Sequence, residues 1–547
     1  MKALIVDGYV DEPALLGVPP YLSPHPRYCF GVFRYFNIEA DYLTIDQLRE
    51  KNDWHFLNNY DYLLLIAGIS VPGRYLGGTP INLYEINKIS NLAHRPVKMI
   101  AGPVTKGYSL HGGTRAISAD FEKFEHVISK DPEIYIYELL SGEKVKSRYE
   151  LIRKVIPFSG EIVKMHPYFP YVMCELELSR GCDKDIACTF CTEPLFYGRV
   201  SSREVRDVVE EVKCLYESGA RYFRFGRASN ILSYGSNSEK LVPEPSKIHE
   251  LYSGVREVAP ELKVLHTDNA NPWYLVKHKD KSIKILQTIA EYNTPGDIVS
   301  FGVESFDKTV LKLNKNEENP DAIIEAVKIV NQIGGRRVDG IPKLLPGINL
   351  LFGLLGETPE TYKINFDYLK KILDMGLMLR RINIRKVIAF PGTRYYKETG
   401  GKIKLNKRLF EKFKNDVREK IDFEMLKRVF PFGTLLKEVI LEEKKGDVNF
   451  GRQIGSYPIL VGFRGNYQKF QVLDVVVVDH GYRSITGVIY PKSINDITYK
   501  ELMDIPGIGK ARAELILLNR PFNNWDDLAK ILNDGKILNT LKIVLTL

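Results

Sequence analysis

The sequence predicts an α/β chain of several domains built around a partial barrel of six parallel strands with helices between them. Three observations predict it. Short apolar runs alternate with helix-length amphipathic stretches through about the first 420 residues. After residue 430 that alternation gives way to short β-rich runs punctuated by Gly451, Gly455, Gly462, Gly465, Gly481 and Gly487. The last stretch returns to helix around Ile505-Pro506-Gly507-Ile508-Gly509-Lys510. At roughly 100–200 residues per domain, such a length holds about three or four domains.

In chain order, residues 1–145 read as an open α/β domain. Ala3–Val6, Tyr62–Ile66 and Val97–Ala101 are buried parallel strands, and 81–92 is a crossover helix. Residues 146–171 hold Pro157, Pro167 and Pro170 with little periodicity and read as a connector. The barrel spans 172–421. Its strands are 173–178, 222–226, 262–267, 298–303, 348–354 and 382–388. Helices fall at 202–218, 245–258, 281–292, 320–333 and 359–375. Ser202 before Glu204, and Thr358-Pro359-Glu360-Thr361, are helix-opening signals. Such a barrel carries its active site at the C-terminal ends of its strands. Residues 430–490 form a small β-barrel with strands at 459–463, 473–478 and 484–489, and 491–547 form a helical domain.

The composition, 44% hydrophobic and 27% charged, is that of a globular protein. No run approaches the 18 or so apolar residues of a membrane span. Asp7 interrupts the apolar start, which reads as a buried strand and not a signal peptide, so the expected location is the cytoplasm. The net charge is +9, and residues 380–420 alone carry 14 Lys and Arg against 4 Asp and Glu. That stretch is either a surface for a polyanion such as RNA or a solvated helix face.

The chain has six cysteines, and Cys182, Cys188 and Cys191 fall within ten positions, just past the first barrel strand. Thiolates are soft ligands for zinc or iron–sulfur clusters. A structural zinc site takes four ligands, and only three cysteines are close; His166 lies before the strand, toward its far end. Three thiolates on a four-iron cluster leave one iron open to a small chelating molecule. Zinc, or thiols without a metal, is the alternative.

These residues resemble the radical S-adenosylmethionine (radical SAM) superfamily, which sets three cysteines on the loop after the first strand of a partial (βα)6 barrel. Cys188-Thr189-Phe190-Cys191 keeps the family's last gap and its aromatic, which the resemblance places near the adenine of SAM. The first gap holds five residues where three are usual. After the second strand, Phe225-Gly226-Arg227-Ala228 keeps one glycine of the family's Gly-Gly-Glu segment and lacks its acid. Gly302-Val303-Glu304-Ser305 resembles the fourth-strand ending, which implies Glu304 and Ser305 near the ribose and methionyl part of SAM. Gly353-Leu354-Leu355-Gly356-Glu357-Thr358 and Phe390-Pro391-Gly392-Thr393 resemble the fifth and sixth endings. The resemblance implies a [4Fe-4S] cluster on Cys182, Cys188 and Cys191. It implies SAM against Phe190, Gly226, Glu304, Ser305 and Gly353, and an electron donor such as ferredoxin or flavodoxin. The first step would be reductive cleavage of SAM to a 5′-deoxyadenosyl radical, with the protein positioning substrate and excluding water. His266 and Asp268, ending the third strand, point toward the barrel mouth as substrate contacts or structural groups.

The flanks carry resemblances of their own. The segment 502–516 resembles a helix–hairpin–helix, with Gly507, Gly509, Lys510 and Arg512 as its nucleic-acid contacts. Residues 430–490 resemble the TRAM barrel of tRNA methylthiotransferases. Those enzymes add three N-terminal cysteines for a second cluster, and here that domain has only Cys29. The N-terminal domain resembles cobalamin-binding domains but lacks their Asp-x-His-x-x-Gly. The expected function is a radical SAM enzyme acting on nucleic acid, RNA before DNA. A small-molecule or protein substrate, or a nucleic-acid-binding protein with a structural or redox-sensing cluster, are the alternatives.

Overall fold

The computed structural model describes residues 1–9, 18–68, 76–107, 119–236, 241–316 and 319–547. The N-terminal strands are β1 (Lys2–Asp7), β2 (Tyr21–Leu22), β3 (Glu39–Thr44), β4 (Tyr62–Ile66), β5 (Val97–Ala101) and β6 (His126–Ile128). Five of them make a parallel sheet in the order β3-β1-β4-β5-β6. Beyond Lys2, β1 is buried on both faces, and β4 is buried after Tyr62, hence their continuous apolar runs. β3 is an edge strand with alternating burial, and its Glu-Ala-Asp-Tyr-Leu-Thr hides it from an apolar search.

The central strands are β7 (Met173–Glu177), β8 (Ser179–Arg180), β9 (Ser201–Ser202), β10 (Tyr222–Gly226), β11 (Val264–His266), β12 (Asn269–Ala270), β13 (Asp297–Glu304), β14 (Arg337–Val338), β15 (Ile341–Pro342), β16 (Leu344–Phe352) and β17 (Arg381–Lys386). Two parallel sheets, β2-β7-β10-β11 and β12-β13-β16-β17, follow one another round an incomplete barrel. The expected third strand is split at Thr267-Asp268. There the Asp297 carboxylate accepts from Thr267 N at 3.0 Å, taking a bond that a continuous ladder would supply. Leu176, Phe223, Phe225, Phe301, Ile348 and Ile382 pack outward under the helices. The alternate positions, Glu175, Arg224, Gly226, Ser300, Gly302, Asn349 and Asn383, therefore line the lumen.

Two expectations are corrected. The connector is helical at Arg148–Val155 and Ile162–Met165, and Leu151, Ile152 and Val155 are buried. Its helices are too short to show periodicity, and tertiary packing holds them. Ser202 lies in β9; the next helix runs Val205–Glu217 with Glu204 at its N-cap. Thr358 does cap Pro359–Asp374, with Thr361 completing a capping box.

The C-terminal strands β18 (Leu435–Lys445), β19 (Val448–Arg452), β20 (Leu460–Arg464), β21 (Val472–His480) and β22 (Ser484–Tyr490) close a barrel in the order β18-β19-β20-β22-β21. It sits under the N-terminal ends of the central strands: Met173, Tyr222 and Val264 pack on Ile440 and Ile454, and Leu345 joins the cluster of Val429, Leu436 and Val439. Four helices between Tyr499 and Val544 pack on the barrel's outer face through Val476, Val478 and Val488. Among the described residues no helix is long and apolar enough to cross a membrane.

Candidate active site

The cysteine loop leaves the upper, C-terminal end of β7. Gly181 turns it at φ 81°, and a Cβ there would lie 2.4 Å from Arg199 O, so only glycine fits. Cys182 N donates to Gly198 O at 3.1 Å, Val200 N donates to Cys182 O at 3.1 Å, and Cys191 N closes a turn on Cys188 O at 3.2 Å. The long first gap is held at several points. Asn230 Nδ2 donates to Asp183 at 2.7 Å, and Lys184 Nζ donates to Asn316 at 2.7 Å and lies 3.8 Å from Cys188 Sγ. Arg199 donates to Lys184 O and Asp185. Thr189 is clasped by Asn314 through N to O at 3.0 Å and Oγ1 to Oδ1 at 2.8 Å. Sequence reading missed Asn230, Asn314 and Asn316, whose only signal is burial that the fold creates.

The three sulfurs lie within electrostatic range of one another. Burial pushes the Cys182 thiol up to about 11 and raises Cys191 too, so at neutral pH these groups become thiolates by binding a cation. Among the described residues no three His, Cys, Asp or Glu side chains are gathered to hold a single metal ion. Three soft donors on one loop fit a cluster with an open iron. Cys29 and Cys174 are buried in the hydrophobic core, and Cys214 Sγ donates to Ile156 O at 3.3 Å.

The other expected residues gather at the same strand ends. Phe190 packs against Val310, Leu354, Val387 and Tyr395. Glu304 stands at a bulge in β13 with φ 63°, a left-handed backbone that non-glycine residues adopt at a cost. Gly302 leaves room for its carboxylate, which would be 3.2 Å from a Cβ there. Gly353, at φ 88°, donates from N to Glu357 at 2.5 Å and accepts from Tyr395 OH. Ser305 is buried, donating to Asn365 and accepting from Asp307 N, which ties the loop in place. Gly226 is needed for a neighbour: a Cβ there would be 2.2 Å from Glu175 Oε1.

Where the expected acid after Gly226 is missing stands Arg227, buried at φ 60°, with Nε 3.8 Å from Glu177. Glu177 also pairs with Arg148 and Arg180, and these cations hold its carboxyl well below the usual range despite burial. Asp268 pairs with Arg224 through Oδ1, while Oδ2 is buried with no partner among the described residues. Burial pushes Asp268 up to about 6. That orphan oxygen faces the lumen and suits an ammonium group such as SAM's.

His266 and Asp268 are not at the mouth. They lie inside the lumen, where residues 454–457 of the C-terminal barrel rise from below. His266 Nδ1 accepts from Ser456 N at 2.8 Å, and burial lowers His266 to about 3, so it is neutral. Tyr21 OH donates to Gly455 O at 2.7 Å, Arg224 Nε to Ser456 Oγ at 3.2 Å, and Arg380 to Tyr457 O at 3.2 Å. This loop bridges β2 and β17 across the lower part of the barrel's opening.

In the helical end, Gly507 turns at φ 83° and Gly509 caps Lys510–Leu518 with open space beside it. Lys510 is exposed. Arg512 donates to Gly507 O and Asp534, so it braces the turn.

The radical SAM superfamily profile matches residues 176–369. An uncharacterised protein of Methanocaldococcus jannaschii is 44% identical over 89% of this chain and 93% of its own. A ribosomal protein uS12 methylthiotransferase of Myxococcus xanthus is 26% identical over 46% of this chain and 48% of its own. A tRNA-2-methylthio-N(6)-dimethylallyladenosine synthase of Thermotoga petrophila is 22% identical over 52% and 58%.

Proposed function

Because the chain belongs to the radical SAM superfamily, it is an enzyme whose cofactors are a [4Fe-4S] cluster and S-adenosylmethionine, and we propose that its substrate is a nucleic acid, RNA before DNA, met in the cytoplasm. Cys182, Cys188 and Cys191 would hold the cluster. Phe190, Gly226, Glu304 and Gly353 would border SAM, and Asp268 Oδ2 would take an ammonium that lacks its usual acid. When bound, the reduced cluster supplies an electron to the SAM sulfonium and so starts radical chemistry. The protein's own part is to fix the loop through Asn230, Asn314 and Lys184. It also fills the lower part of the lumen with residues 454–457, which limits water there.

The observation that carries the nucleic-acid reading is an unpaired basic band. Lys402, Lys404, Lys407, Arg408 and Lys412 are exposed, and among the described residues none has a carboxylate within 4.0 Å. They run from the upper end of the barrel along the helix Lys407–Val417. Counterion release from such a band is what RNA binding uses. The exposed Lys510 and the open amides beside it add a second contact at the other end of the molecule.

A protein substrate is the second reading, favoured by the relative whose name places it on ribosomal protein uS12. The N-terminal domain's single Cys29 argues against the sulfur-insertion mechanism that a second cluster would serve. Mass spectrometry of RNA nucleosides from cells with and without the gene decides between them. One modified nucleoside should vanish with the gene; unchanged profiles in tRNA and ribosomal RNA would contradict an RNA substrate.

A further inference from the structure

Among the described residues, the most deeply buried arginines are paired with carboxylates. Arg27 and Arg203 share Glu211, Arg148 and Arg180 share Glu177, Arg224 takes Glu175 and Asp268, and Arg452 takes Glu442. That is the expected economy, since an unpaired charge out of water is costly. A contrasting group, with Arg381 and Arg418 partly buried and Arg385 and Arg483 exposed, gathers along β17, which forms one lip of the barrel's opening. Arg381 and Arg385 alternate with Ile382 and Ile384, which pack outward, so both arginines face the opening. Arg418, just past the helix Lys407–Val417, and Arg483, at the β21–β22 turn, join them from two other elements. Among the described residues none of these four has a carboxylate within 4.0 Å, and Arg381 Nε is buried with no hydrogen-bond partner.

Arg381 is held in place by the Tyr457 ring, 4.1 Å from its guanidinium. Arg381 and Arg418 each feel the repulsion of Arg483, and burial with that crowding lowers Arg381 to about 10. One acid, Asp422, lies within electrostatic range of Arg381, Arg418 and Arg483, but it forms no ion pair with them within 4.0 Å. Four cations gathered from three elements around a single acid leave an excess of positive charge that suits an anion from outside. The spread of the four along a strand and onto the next barrel exceeds a single phosphate. Tyr482, 52% exposed beside Arg483, offers a ring on which a base can stack.

Resting on the nucleic-acid reading above, we propose that Arg381, Arg385, Arg418 and Arg483 form a phosphate-binding lip at the barrel opening, which holds the backbone of an RNA strand while its reacting nucleotide enters the lumen. The lip continues the basic band of the helix Lys407–Val417 and so joins the upper end of the barrel to the C-terminal one. It gives the C-terminal barrel two jobs at one junction: plugging the lumen through Ser456 and presenting Arg483.

The test uses the full chain and unfractionated tRNA, with binding read by fluorescence anisotropy across a salt series. Arg385 and Arg483 are exposed, so the R385Q/R483Q double variant should fold, which far-UV circular dichroism and the thermal midpoint check. Each lost phosphate contact flattens the slope of log K against log salt by about 0.7–0.9, so the double variant should be shallower by about 1.4–1.8. The R385K/R483K variant, which keeps both charges, should retain the wild-type slope. If wild type binds tRNA and R385Q/R483Q binds with the same slope and affinity, the lip is overturned while the RNA reading stands. If wild type binds no tRNA at all, both fall.

Discussion

The two ends of the central barrel are made by the same strands and built on opposite rules. At the lower end most charges are matched: Arg224 sits between Glu175 and Asp268, whose Oδ2 is left for another group, His266 is neutral, and residues 454–457 fill the space between. At the upper end a long loop carrying three thiols is pinned by asparagines, and Glu304 stands in a strained backbone. The difference teaches where to look for chemistry in such a barrel. A satisfied polar network reads as closure and stability; an incomplete one reads as a place for something else to bind.

Substitutions at each end should therefore separate stability from activity. The largest effect is expected from Cys191→Ala, which removes one of the three proposed cluster ligands. Reconstituted iron content and SAM cleavage should be lost, with the thermal midpoint of the cluster-free protein little changed. Retained cleavage would break the comparison. Next, Arg224→Met at the lower end leaves Glu175 and Asp268 buried without their cation and should cost about 3–5 kcal/mol in denaturant unfolding. A loss below 1 kcal/mol would mean the lower end is not the stability anchor.

Asn230→Ala frees Asp183 and should weaken iron retention against a chelator by about 10–100-fold, as supporting shells of metal sites do, without altering the fold. Equal retention would show that the long first gap needs no pinning. The smallest effect belongs to pH. His266 is lowered to about 3 in the fold against an ordinary 6.5, so its stabilising contribution is complete above pH 6.5 and is lost as pH falls below it. His266→Asn keeps an acceptor for Ser456 N and removes the titration. Between pH 7 and pH 5 wild type should lose about 2 kcal/mol relative to this variant. Parallel stability curves would contradict a buried neutral histidine.

Much of this was legible in the sequence, and the limits are physical. The central strands and their helices showed because periodic burial is written locally, and the cysteine loop showed because its ligands lie within ten residues. The split at Thr267-Asp268 did not show, since it depends on Asp297 reaching across from the next strand. The plug did not show either: Gly455 meets Tyr21 and Ser456 meets His266 across 434 and 190 positions of chain. Gly226 was legible as a required glycine, but the reason is the Glu175 side chain on the neighbouring strand. The basic stretch was visible as composition. Only the fold shows that Arg381 and Arg385 have no carboxylate within 4.0 Å while Arg224 has two.

The upper end of the barrel is proposed to hold one cluster with an iron open to SAM. The most direct test of that assignment is electron paramagnetic resonance of the anaerobically reconstituted, reduced full chain, recorded with and without SAM, alongside an iron count. About four irons per chain for one four-iron cluster are expected, with a reduced-cluster signal that changes when SAM is added, and 5′-deoxyadenosine with methionine as products. A cluster whose signal SAM leaves unchanged, with no cleavage products, would contradict the assignment.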